Sequence, residues 1–214
     1  ERALLGLSVQ ELAQRLGTRA WVKHENHTPV GAFKVRGGLV WFDGLRERGE
    51  RVPGVVSATR GNHGQSVGFA ARALGIPATI VVPHGNSREK NAAMRALGVE
   101  LVEHGEDFQA AREHAQALAA GRGLRMVPSF HPDLVRGVAT YWLEFLEAVP
   151  ELDVVYVPIG LGSGACGALA AREALGRRVE VVGVVSQGAP TYALSLAAGR
   201  VVEAPVTTVI ADGM

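Results

Sequence analysis

The sequence predicts an α/β fold with parallel sheets covered by helices, and two observations carry that expectation. Short β-branched runs alternate with helical patterns almost throughout, and the helical patterns carry apolar residues at i, i+3 and i+4 and tend to stop at glycine. In order, "AWVKHE" (20–25) reads as a strand and "FKVRGGLVWFDGLRE" (33–47) as a helix. "PGVVSAT" (53–59) is a strand and "HGQSVGFAARALG" (63–75) a helix; "ATIVVP" (78–83) is a strand and "SREKNAAMRALG" a helix ending at Gly98. "VELVEH" is a strand, "DFQAAREHAQALAAG" a helix ending at Gly121, "LRMVPS" a strand and "PDLVRGVATYWLEFLEAV" a helix. The buried strand "DVVYVPI", the helix "GACGALAAREALG" and the strand "VEVVGVV" complete the pattern. In parallel sheets ligands sit outside the carboxyl ends of the strands, so the loops after strands are where a site belongs.

Composition bounds the function. A chain of 214 residues with 47% hydrophobic content has ample core for one large domain or two small ones. A net charge of +1 gives no basic stripe for nucleic acid, and any anionic ligand would be held by local geometry. No apolar run approaches the roughly 20 residues of a membrane span. The single Cys166 excludes an intramolecular disulfide framework and suits a reducing, cytoplasmic compartment. Glu1 opens the chain without a methionine and "TTVIADGM" closes it, which raises the expectation of a fragment.

Three loops carry chemistry. In "PIGLGSGACG" (158–167), Gly160, Gly162 and Gly164 let the backbone approach an anion, the next helix aims N–H groups at it, and Ser163 adds a hydroxyl. Phosphate is the natural occupant. Gly162, Gly164 and Gly167 also fit a dinucleotide motif, but "VEVVGVVSQG" lacks the acidic residue that would follow it; glycines serving tight helix–strand packing are the plainer alternative. In "SATRGNHGQS" (57–66), Thr59, Gly61, Asn62 and His63 gather donors at a helix N-terminus, which suits a carboxylate, and Asn62 can donate or accept beside a phenolic oxygen. His63 alone is more often a capping or packed histidine than a catalyst. The seven histidines show no metal-ligand spacing, so no metal is expected.

The third loop is "HTPVGAFKVRGG" (27–38). Only three of the 22 basic residues are lysines (Lys23, Lys34 and Lys90), and Lys34 sits between Phe33 and Val35. An amine in a confined pocket has a depressed pKa and condenses with carbonyls to a Schiff base, which a guanidinium cannot do. A phosphate cradle, a carboxylate cradle and such a lysine together specify pyridoxal 5'-phosphate handling an amino acid, although none suffices alone.

These motifs resemble those of the fold-type II pyridoxal-phosphate enzymes, in particular the serine/threonine dehydratases and serine racemases. "GAFKVRGG" is similar to their S-F-K-x-R-G-A motif, "TRGNHGQ" to S-S-G-N-H-G-Q, and "PIGLGSG" to their glycine-rich phosphate loop; "PHGNSREKNAAMRALGVELVEHG" and "TTVIADGM" follow in family order. The resemblance implies two three-layer parallel or mixed-sheet domains of the tryptophan synthase β-like kind. The large domain would comprise 1–40 and 138–214, the small one 41–137, with a C-terminal part missing. It implies Lys34 as the catalytic Schiff-base lysine and proton-shuttling base, Phe33 beside the cofactor ring and Asn62 on its 3′-oxygen. Gly160, Leu161, Gly162, Ser163 and Gly164 would hold the phosphate, and Thr59, Gly61 and His63 would seat the substrate carboxylate, with Arg60 beside them.

The departures are Ala32 for serine, Gly38 for alanine, and Leu161 and Ser163 interrupting the glycine run. The family's partner for the pyridine nitrogen lies beyond the ADG segment. Val185 and Thr191 stand where metal-activated members carry an acidic pair, and Arg60 stands where racemases carry the serine of their second acid–base group. The expected activity is β-elimination from L-threonine or L-serine to a 2-oxo acid and ammonia. The alternatives are a 3-hydroxyaspartate dehydratase, a serine racemase, or a truncated, non-catalytic fold that binds cofactor or amino acid. The expected partner is a small amino acid, with no nucleic acid and no membrane, in a homo-oligomer, dimer or tetramer.

Overall fold

The computed structural model describes residues 8–208. Its elements are α1 (Val9–Leu16), α2 (Lys34–Glu47), β1 (Val55–Ala58), α3 (Asn62–Ala73), β2 (Ala78–Val82), α4 (Arg88–Ala96) and β3 (Glu100–Glu103). They continue as α5 (Phe108–Arg122), β4 (Arg125–Met126), α6 (Pro132–Ala148), β5 (Val154–Pro158), α7 (Ser163–Ala174), β6 (Glu180–Val184) and α8 (Thr191–Ala198). Every strand pair is parallel, as the alternation requires.

The first sheet has the order β3-β2-β1-β4. Val55 pairs with Ala78 on one side and with Arg125 on the other, so the strand order reverses between β1 and β4. A crevice opens at such a reversal, outside the strand ends. Both faces of this sheet are covered. Val55, Ile80 and Val82 pack on Trp41, Phe42 and Leu45 of α2, Val67 of α3 and Met94 of α4. Val56, Ala58 and Val81 pack on Ala111 and Ala115 of α5. Each fully buried aliphatic side chain contributes about 1.5–3 kcal/mol. The Ser57 hydroxyl, buried at the same level, donates to Val127 O at 2.9 Å and ties β1 to the end of β4.

The second sheet pairs β5 with β6. Val155 and Val157 pack on Val138, Tyr141, Trp142 and Leu146 of α6 and on Ala168 and Ala171 of α7. The two cores meet along α2 and α6. Trp41, Phe42, Leu45 and Leu134 join the first, while Phe33 packs with Val138 and Tyr141 in the second. The expected division points, 40/41 and 137/138, therefore fall inside two continuous helices.

Several local expectations need correction. Residues 20–25 form no strand: no ladder partner faces them among the described residues, Trp21 and Val22 are half-exposed, and Lys23 and Glu25 go into ion pairs. An extended stretch without a partner strand has no ladder to satisfy its backbone. "LRMVPS" pairs only briefly, since Pro128 has no N–H to continue the ladder. The helix expected to end at Gly121 runs to Arg122, where Gly123 takes the left-handed cap at φ 64. "DVVYVPI" is buried at alternate residues and not throughout. Helices α1 and α8 were not anticipated, and neither contains a buried residue. The ADG segment lies outside the described residues.

Candidate active site

Lys34 is the first residue of α2, at the seam between the two cores. Helical side chains lean toward the N-terminus of their helix. A small pocket is lined by Lys34 and Gly37 of α2, His63 of α3, Ser129, Leu134 and Val138 around the start of α6, and Ser163 of α7. The Lys34 Nζ lies 5.4 Å from the centroid of the Phe33 ring. Burial lowers the pKa of this amine, because an ammonium loses hydration there without a paired carboxylate to replace it.

The loop after β1 and the loop after β4 deliver His63 and Ser129 from the two sides of the strand-order reversal. His63 is buried, and its Nε2 has no hydrogen-bond partner among the described residues. Desolvation, reinforced by the Lys34 charge, pushes its pKa down to about 3, so the imidazole is neutral. The buried Thr59 Oγ1 accepts the N–H groups of Gly61 at 3.0 Å and Gly64 at 3.3 Å, which fixes the turn into α3. The Gly61 N–H, expected to face an anion, is directed at Thr59. A Cβ at Gly61 would come within 2.8 Å of Cδ of Lys90 on α4, so any larger residue there would displace that lysine's stem. Arg60 in this loop and Asn62, the first residue of α3, are exposed.

The third loop enters α7 through Gly162, whose φ of 90° a side chain would resist. Helical bonding begins with Cys166 N–H donating to Gly162 O at 2.9 Å, so the N–H groups of 163–165 precede it and project from the helix end. Ser163 is buried at this end, whereas Leu161 turns its side chain outward and Gly160 is half-buried. The Trp142 indole donates to Gly164 O at 2.9 Å and so fixes the loop to α6. Tyr141 packs at a tilt against both Trp142 and Phe33, with ring centroids 4.9 and 5.6 Å apart. A Cβ at Gly164 would lie 3.3 Å from Val157, 3.7 Å from the Tyr141 hydroxyl and 3.9 Å from Phe33. The glycine loop and the lysine thus share one aromatic wall. Burial raises the Tyr141 pKa, keeping its hydroxyl protonated.

The residues fit pyridoxal phosphate. A buried amine whose pKa is lowered, an orphaned buried imidazole nitrogen and a helix N-terminus with a buried serine converge on one pocket. The donor set suits an aldehyde joined to an anion. The sequence profile described as "Pyridoxal-phosphate dependent enzyme" matches residues 6–214. The chain belongs to that family. Among curated relatives of this pyridoxal-phosphate enzyme, L-threonine ammonia-lyase of Geobacter sulfurreducens is 36% identical over 94% of the chain and 50% of its own length. L-threo-3-hydroxyaspartate ammonia-lyase of Saccharomyces cerevisiae is 32% identical over 97% of the chain and 64% of its own length. The solved structure of maize serine racemase superposes with a TM-score of 0.90 at 29% identity, covering 97% of this chain and 63% of that one. The chain thus spans less than two thirds of the length of each of them.

Four groups around this candidate site were not legible in the sequence: Ser129, Tyr141, Trp142 and Arg36. Arg36 donates to Glu25 at 2.8 and 3.0 Å, to Glu144 at 2.6 and 2.9 Å and to Thr140 at 3.1 Å. Lys23 joins Glu25 and Glu144 at 3.2 and 2.7 Å. The Arg36 and Lys23 hydrogen bonds hold the Glu144 carboxyl down to about 2. Two cations and two anions thereby anchor the segment before Lys34 to α2 and α6. The arginine in "KVRGG" was the available signal. No group of three or more His, Cys, Asp or Glu side chains placed to hold a metal occurs among the described residues. No described helix is long and apolar enough to cross a membrane.

Proposed function

We propose that the protein uses pyridoxal phosphate to eliminate water from L-threonine or L-serine, yielding a 2-oxo acid and ammonia. The observation that carries this reading is the shared pocket of Lys34, His63 and Ser163. When bound, the cofactor supplies the electron sink for the pair left on the α-carbon. Lys34 anchors it and then takes the α-proton, a role helped by the lowered pKa of the buried amine. Phe33 would flank the cofactor ring, and Asn62 would bond its phenolic oxygen. The backbone N–H groups of 160–164 and the Ser163 hydroxyl hold the phosphate, with Leu161 contributing main chain alone.

The Thr59 hydroxyl and the neutral His63 would seat the substrate carboxylate, and Gly61, whose N–H bonds Thr59, sets the turn that places them. The β-hydroxyl departs with a proton as water, and hydrolysis of the resulting enamine gives the 2-oxo acid and ammonia. Racemisation needs a second proton relay opposite Lys34. Arg60 stands at the position of that group in the racemases, and a guanidinium is no proton relay. A second reading, a 3-hydroxyaspartate substrate, is favoured by two cations at the carboxylate loop: Arg60 within it, and Lys90 with its stem across Gly61.

The same proposal comprises a small unit over 41–137 between two flanks of a larger one, a homo-oligomer, and a cytoplasmic setting suited to the lone Cys166. The test is 2-oxo acid release from L-threonine, L-serine and 3-hydroxyaspartate by the cofactor-loaded protein, with chiral analysis of residual serine. Release from either of the first two without D-serine supports elimination. D-serine formed as fast as pyruvate overturns it, and release from 3-hydroxyaspartate alone selects the second reading.

A further inference from the structure

Gly38 departs from the alanine of the motif its stretch resembles, and the structure supplies a reason. A Cβ at position 38 would overlap Ser66 Oγ and would lie 2.9 Å from the Ser66 backbone oxygen. Ser66 is on α3 and completely buried. Its hydroxyl donates to the Lys34 carbonyl oxygen at 2.6 Å. That carbonyl is the first-turn acceptor of α2, whose helical partner is the N–H of residue 38. The hydroxyl therefore enters beside the backbone of Gly38, in the space a methyl group would fill. Two departures from ordinary helix packing, a glycine in a helix interior and a serine hydroxyl buried between helices, form one interlocking feature.

We propose that Ser66 is a positioning residue for Lys34, and that Gly38 is the notch that admits it. The proposal rests on the reading of Lys34 as the reacting amine. The bond joins the first turn of α2 to α3, the helix whose N-terminus carries His63. It fixes the backbone from which the Lys34 side chain projects relative to the carboxylate loop. A short hydrogen bond from a buried hydroxyl resists rotation of that turn, and the terminal turn of a helix is where fraying begins. Small displacements of a reacting group carry large rate penalties. Loss of the hydroxyl is therefore expected to act on the chemical step and to leave substrate affinity alone.

The test combines two measurements on Ser66→Ala, which removes one oxygen and leaves no clash. In the cofactor-free chain, amide hydrogen exchange over 35–38 should quicken by about fivefold or more, while exchange over 42–47 of the same helix stays within about twofold. In the loaded protein, kcat for L-threonine should fall by about tenfold with KM within about twofold. Gly38→Ala should be worse than Ser66→Ala, and Ser66→Ala should partly rescue it, since the backbone oxygen at 2.9 Å remains in the way. Unchanged exchange over 35–38, or faster exchange spread evenly along α2 and α3, overturns the proposal, as does a rise in KM with kcat intact. If the unmodified protein releases no 2-oxo acid, the elimination reading fails, and the exchange measurement still decides what Ser66 does to the Lys34 turn.

Discussion

The two sheets of this molecule are built from similar sequence and meet different surroundings. In β1 and β2, Val55, Val56, Ile80, Val81 and Val82 are all fully buried, with α2, α3 and α4 on one face and α5 on the other. In β5, Val155 and Val157 are buried on α6 and α7, but Tyr156 between them is 68% exposed, and Val184 of β6 is 40% exposed. "VVSAT" and "DVVYVPI" look alike as apolar runs. An apolar run specifies a strand, whereas the number of covered faces depends on what else packs there. The first sheet carries its own complete core, and the second is completed on one face among the described residues. The candidate site lies along the seam, where α6 contributes to both cores and Phe33, just before α2, packs on the second.

The largest effect is expected at that seam. Lys34→Arg keeps the charge and much of the length but cannot condense with a carbonyl or act as a base at working pH. Turnover of L-threonine should fall by roughly three orders of magnitude or more. The far-ultraviolet circular dichroism of both regions should remain unchanged. Near-normal 2-oxo acid formation by this variant would show that the reacting amine lies elsewhere.

Within the cores, the comparison is sharpened by truncating one side chain in each. Ile80→Ala opens a cavity in a sheet covered on both faces and should cost about 2–5 kcal/mol in urea unfolding. Val157→Ala, beneath a single layer of helices that can settle inward, should cost roughly 2 kcal/mol or less. Equal losses would mean that the second sheet is as tightly enclosed as the first.

Much of this arrangement was legible because local chemistry and long-range packing agree. The strand cores of the first sheet, the glycine caps of the helices and the three loops are encoded within a few residues each. The misses have physical causes. Residues 20–25 have strand-like composition, but the partner that makes a strand lies outside any local window. Helix α1 carries a full capping box, with the Ser8 hydroxyl accepting from Glu11 N–H and the Glu11 carboxylate accepting from Ser8 N–H, a signal short enough to overlook. Tyr141 and Trp142 reach the site only through the crossing of α6 with α2 and α7, and Ser129 only through the strand-order reversal beside β4, neither of which sequence spacing announces.

A subtler contrast concerns pH. His63 is buried neutral, with its pKa lowered to about 3 from the ordinary 6.5 of a free histidine. Between those values the unfolded chain binds a proton that the folded chain refuses, so folding stability increases with pH across that window. The contribution is complete above pH 6.5 and is lost progressively as the pH falls toward 3. Its limiting slope is about 1.4 kcal/mol per pH unit for one proton. Urea midpoints measured from pH 7 to 4 should therefore decline, and His63→Gln should flatten the decline over that range. Glu144 acts in a lower window: its carboxyl is held at about 2, so its stabilisation is present above its ordinary 4.5 and is lost as pH falls below that. An unchanged pH dependence in His63→Gln would mean that the imidazole is hydrated in solution.

The smallest effect should come from the residue that defines the difference between the sheets. Tyr156 alternates with Val155 and Val157 along β5, and the pleat turns it to the opposite face. With that face uncovered among the described residues, little apolar area is removed from water at this position, so a smaller polar side chain forfeits little. Tyr156→Ser in the 214-residue chain is expected to change unfolding stability by about 0.5 kcal/mol or less, the range of ordinary surface substitutions. The loss of β propensity from Tyr to Ser accounts for most of that. A loss approaching that of Val157→Ala would show that something covers the outer face of β5 in solution, and the contrast between the two sheets would then be one of occupancy and not of construction.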